Sequence, residues 1–171
     1  MISHMMNQRE RLFYDKTTYA LLSTINHMGL KPKELDDASF YIKLLRMAFT
    51  DSTIKQCVFL DERNKEWDFG YDSTGFCYAA SVVFAMANGL NNWNLLYLDG
   101  ERWHGATPHF YLQHKKTGNF LDITYDQFAI KGITSVPYEK GKRVPIKIPL
   151  ENIAAKFAYI LDINLKTKER K

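Results

Sequence analysis

A cysteine, a histidine and an aspartate stand in that order at positions 77, 109 and 122. Turn-forming residues 71–75 (YDSTG) lead straight into the apolar run 76–88 (FCYAASVVFAMAN), which Gly89 closes. The pattern predicts a buried central helix that starts near Thr74, with Cys77 two or three residues inside it. Unsatisfied backbone N–H groups and the helix dipole stabilise a thiolate there. Such a thiolate attacks carbonyls when a base is near; taken alone, the same cysteine is a small buried hydrophobe. His109 opens a strand-like stretch and shares a face with Tyr111 and Gln113, while Phe110 and Leu112 point the other way. Asp122 follows in the stretch 120–124, between Leu121 and Ile123, where a carboxylate is costly to bury without a partner. A four-residue turn at 116–119 (KTGN) makes the two stretches antiparallel neighbours, so His109 and Asp122 are expected to face each other across a hairpin. A carboxylate in that place fixes the imidazole's tautomer and supports its protonated form.

The segment 75–81 (GFCYAAS) resembles the nucleophile segment of papain-like and transglutaminase-like enzymes: Gly-x-Cys, an aromatic residue, then small and apolar residues along the central helix. The stretch 108–113 (PHFYLQ) followed by 118–124 (GNFLDIT) is similar to the transglutaminase core. There a histidine begins one strand, and an apolar-Asp-x-Thr sequence on the next supplies the acid. The likeness covers about residues 71–128. Tyr71 stands where the papain type has its glutamine, Tyr111 where a tryptophan is expected, and Ile123 where proline follows the acid. The resemblance implies a papain/transglutaminase-like core and acyl transfer on amides through a thioester, with a Cys77–His109–Asp122 triad. Peptidase, deamidase and transamidase chemistries all remain open, as does a catalytically inert binder or effector on the same fold. The implied partner is a protein or peptide substrate. Of the two expected oxyanion donors, one is the Cys77 N–H and the other the Tyr71 hydroxyl.

Other residues carry weaker signals. Asp126 is a rival for orienting His109. Cys57, in an apolar stretch with no helix start beneath it, reads as structural, and Ser81 as a packing residue one turn after Cys77. His104 and His114 each lie five residues from His109. Odd spacing on one strand puts His109 and His114 on opposite faces, against a shared metal. No HExxH, CxxC or Gly-rich phosphate loop occurs, so neither a metal nor another cofactor is expected. Trp67, Trp93 and Trp103 read as core or rim packing, with a substrate groove as the alternative.

The elements that must position these groups read as follows. Two helical patterns (about 8–28 and 34–49) come first, the second ended by Asp51-Ser52. Residues 55–61 read as a short strand or more helix, and 62–67 as loop. Strands follow the central helix at 93–98, 109–113 and 120–124, with an edge strand in 137–149, whose prolines cannot sit mid-sheet. A helix at 150–161 closes the series. The expected class is α+β: a buried helix packed on an antiparallel sheet, preceded by N-terminal helices. Domain organisation is read as a single domain over 1–171, with a helical part (1–70), a catalytic-like core (71–163) and a basic tail (164–171).

Composition sets the outer bounds. With 171 residues, 46% of them hydrophobic and 25% charged, the chain has the material for a packed core and is not intrinsically disordered. Two cysteines twenty positions apart cannot form a disulfide framework. The net charge of +4 resides mostly in the tail 166–171, and no basic face recurs elsewhere, so nucleic acid is not an expected partner. No apolar run reaches the roughly 20 residues of a membrane span, and no signal-peptide pattern appears. The expected setting is a reducing, cytoplasmic one, or delivery as an effector.

Overall fold

The computed structural model describes residues 6–63, 73, 75–99 and 108–162. Three helices come first: α1 (Gln8–Asn26), α2 (Pro32–Phe49) and α3 (Ser52–Arg63). A capping box opens α1, Asn7 accepting from the Glu10 N–H while the Glu10 side chain returns to the Asn7 N–H. Pro32 opens α2 in the first turn, where its missing N–H costs nothing. Residues 55–61 are helical. Asp51, read as a helix stop, also starts α3, because its Oδ1 accepts from the N–H groups of Thr53 at 2.9 Å and Ile54 at 3.2 Å.

Helix α4 (Cys77–Asn88) is buried at every position from Ala79 to Asn88. It packs against α2 on one side, α6 (Asn152–Leu161) on another and the sheet on a third. Its all-round apolar sequence is what such enclosure requires. Gly89, at φ 97°, ends the helix in a conformation that L side chains rarely adopt.

Four strands form one antiparallel sheet in the order β3-β2-β1-β4: β1 (Trp93–Leu98), β2 (His109–His114), β3 (Phe120–Leu121) and β4 (Lys142–Val144). Both faces of the sheet are covered. Leu95, Leu112 and Leu121 join the helices in the main core. Leu96, Leu98 and Tyr111 form a smaller cluster on the opposite face, together with Phe120, Val136 and Tyr138. Two-sided burial explains why β1, Asn94 apart, reads as an apolar run instead of an alternating one. The expected edge strand in 137–149 shrinks to β4, between a 3-10 turn at Tyr138–Lys140 and Pro145. Among the described residues no helix is long and apolar enough to cross a membrane. The architecture is α+β.

Candidate active site

Cys77 is the first residue of α4, not the second or third, and is half-buried. Ser73, Phe76 and α4 are linked by the chain itself: Phe76 N–H donates to the Ser73 carbonyl at 3.0 Å, and Ala80 N–H to the Phe76 carbonyl at 2.8 Å. Phe76 fixes where this helix end sits. Its fully buried ring lies between Phe49 of α2 and Phe157 of α6, both at centroid distances of 4.9 Å. The first helical N–H groups have no intrahelical acceptor, so α4 presents donors beside the Cys77 sulfur.

His109, 1% exposed, starts β2, and its Nε2–H donates to Asp122 Oδ2 at 2.7 Å. The strand register pairs Leu112 with Leu121 and Gln113 with Phe120. Asp122 therefore stands level with Tyr111, not directly opposite His109 as expected. It reaches the imidazole because the chain leaves β3 at Leu121 and turns. Thr124 N–H and Thr124 Oγ1–H donate to Asp122 Oδ1 at 3.2 and 3.3 Å, an Asx turn that replaces the expected continuation of the strand to Thr124. One oxygen of Asp122 thus holds its own turn, which leaves Oδ2 for His109. Here lies the physical content of the Asp-x-Thr pattern.

Cys77 acts on the same imidazole and raises its basicity. With Nε2 given to Asp122, Nδ1 is the nitrogen left for a second partner. Burial is the largest influence on His109 and pushes its basicity down. The charge and hydrogen bond of Asp122, with smaller contributions from Cys77, outweigh it and bring the imidazole up to about 10. Phe128, on the short helix α5 (Asp126–Ala129), meets the ring edge-on at 4.6 Å, and Tyr111 stacks on it at 5.8 Å. These aromatics shield the His109–Asp122 bond from water. Sequence reasoning missed Phe128, since nothing in its spacing ties it to His109.

Asp126 does a different job from the orienting role weighed for it. Its Oδ1 lies 2.8 Å from Arg46 Nη1, and both side chains are buried. It also accepts from the Ser73 N–H at 3.0 Å and from the Ser73 hydroxyl. Arg46 is held in turn by Thr17 and Thr18 and lies 5.1 Å from the Tyr14 ring. Helices α1 and α2 thereby tie down the segment leading to Cys77. The carboxylate bonded to His109 is that of Asp122.

The remaining candidates separate cleanly. Ser81 spends its hydroxyl on the Cys77 carbonyl at 2.7 Å. His114 bonds Glu34 of α2 at 2.8 Å and Thr117 at 3.2 Å, which fastens the hairpin to α2. Trp93 is buried against Phe84 and His114. Cys57 is exposed on α3, not packed in the core: its flank Val58 turns inward while the thiol faces solvent. Tyr71, Trp67, Trp103, His104 and the basic tail lie outside the described residues. Among the described residues no group of three or more His, Cys, Asp or Glu side chains is placed to hold a metal ion. Comparison of the chain with protein-family models, curated proteins and solved structures found no match.

Proposed function

We propose that the chain is a cysteine-dependent acyl-transfer enzyme acting on amide bonds of a protein or peptide, with a papain-like or transglutaminase-like core. One observation carries this reading. A buried imidazole is held by a carboxylate through Nε2, and the half-buried cysteine that starts the central helix acts on the same imidazole.

The steps follow from that arrangement. His109 Nδ1 takes the thiol proton, and Cys77 Sγ adds to the amide carbonyl carbon. The carbonyl oxygen gains negative charge next to the Cys77 N–H at the start of α4. His109 then gives the proton to the amide nitrogen, the C–N bond breaks, the amine leaves and a thioester remains. Water or an acceptor amine attacks the thioester, giving up its proton to His109, and free Cys77 is restored. Asp122 keeps Nδ1 aimed at the sulfur and stabilises the imidazolium at each stage.

Cysteine alkylation by iodoacetamide, followed by peptide mapping from pH 5 to 9, tests the reading, with exposed Cys57 as the internal standard. Cys77 labelling should be several-fold faster than Cys57 at pH 6 despite its burial. In His109→Ala that advantage should disappear. A Cys77 rate below that of Cys57 at every pH, unchanged in His109→Ala, would mean a structural thiol and an inert binding fold.

A further inference from the structure

Asp122 Oδ2 does not serve His109 alone. The Tyr138 hydroxyl donates to the same oxygen at 2.7 Å, the distance at which His109 Nε2 binds it. Tyr138 lies between α5 and β4, sixteen residues beyond Asp122, in a stretch read from sequence only as edge strand. Its placement is built, not incidental. The Tyr111 hydroxyl donates to the Tyr138 carbonyl at 2.6 Å, and the Tyr111 ring meets the Tyr138 ring at 4.8 Å. Phe120 closes the other side at 5.9 Å. At position 141 an added Cβ would lie 1.8 Å from the Tyr111 hydroxyl, so only glycine lets Tyr111 reach this carbonyl.

We propose that Tyr138 is a positioning residue for the His109–Asp122 pair, its hydroxyl fixing the carboxylate oxygen that holds Nε2 and drawing off part of that oxygen's charge. The inference rests on the proposed acyl-transfer reading. Thr124 occupies Oδ1, and His109 takes one lone-pair direction of Oδ2; Tyr138 takes the other. The ionisable groups facing this carboxylate are His109 and Tyr111 of β2, Tyr125 beside α5 and Tyr138 itself. Cys77 of α4 acts on the imidazole, and Glu139 on Tyr111. Burial first, and then the charge of Asp122, push the Tyr138 and Tyr111 phenols above their usual range, so Tyr138 remains a donor throughout the working pH range. A donor on Oδ2 competes with the imidazole for the same negative charge and keeps His109 from holding its proton too firmly to return it to the leaving amine.

The test uses the full chain, labelled with 15N-histidine, at pH 7. In Tyr138→Phe the His109 Nε2 proton should move downfield, because Asp122 Oδ2 then accepts from His109 alone. Cys77 alkylation at pH 6 should hold or rise, because an imidazole that keeps its proton more firmly supports the thiolate at least as well. A second variant carries 3-fluorotyrosine at position 138, which keeps the shape and strengthens the donor, and it also covers the case in which Tyr138→Phe fails to fold. Its Nε2 proton should move upfield. Opposite displacements support a positioning role, which a merely structural side chain would not produce. An unmoved resonance in the fluorinated protein, or displacement of both variants in the same direction, overturns it. A failed acyl-transfer reading looks different: Cys77 would be indifferent to His109→Ala whatever the resonance does.

Discussion

Asp126→Asn removes one charge from a buried pair and leaves nearly everything else in place. The carbonyl of the new amide can still accept from the Ser73 N–H, and Thr17, Thr18 and Tyr14 still surround Arg46. What remains is a guanidinium whose side chain is 2% exposed, with its 2.8 Å counter-charge gone. Stranding one member of a buried ion pair costs about 3–5 kcal/mol. The retained hydrogen bonds place this case near the lower end, about 3 kcal/mol, a large share of a typical stability of 5–15 kcal/mol. Urea unfolding followed by tryptophan fluorescence, with linear extrapolation, measures it. A double variant, Arg46→Met with Asp126→Asn, removes the stranded charge and should recover most of the loss, giving a coupling of at least ~1.5 kcal/mol. A loss below ~1 kcal/mol in the single variant, or simple additivity in the double, would refute the view that this pair staples the N-terminal helices to the segment before Cys77.

Two further outcomes follow from the same geometry. His109 is more basic in the fold, at about 10, than the 6.5 of a free imidazole. Its contribution to stability is therefore full below about pH 6.5 and fades as pH rises toward 10. The unfolding free-energy gap between the native protein and His109→Gln should then shrink steadily between pH 6.5 and 9.5, and a gap that stays level would refute the assignment. Gly141→Ala would force its methyl into the fully buried Tyr111; thermal unfolding should show a loss of about 1–3 kcal/mol, whereas an unchanged Tm would show that the Tyr111–Tyr138 clamp yields freely.

The elements that carry the candidate site were readable wherever one local signal governed them. The apolar run closed by Gly89 gave α4, and the KTGN turn gave the hairpin between β2 and β3, with Gly118 at φ 78°. Local signals failed where tertiary context decided. Residues 55–61 are apolar enough for strand or helix, and only the cap at Asp51 settles it. Asp122 and Asp126 look alike in sequence, four positions apart. They part company because Arg46, some eighty residues earlier in the chain, claims one of them. Tyr138 and Phe128 reach the His109–Asp122 pair through the folding of α5 and the loop after it, and no spacing rule announces such a contact.

The sheet that carries His109 ends abruptly on both sides. On one side β3 pairs through only two residues before the chain turns to present Asp122. On the other, β4 is three residues long, shows Lys142 and Arg143 to solvent, and runs into Pro145. Short, cationic, proline-stopped edges are poor templates for another chain to extend. Among the described residues, a polypeptide brought to Cys77 would thus find only these short edges to pair with, and its recognition would fall mainly to side-chain surfaces around the helix end. The same bluntness gives copies of the chain little edge, among the described residues, on which to extend the sheet.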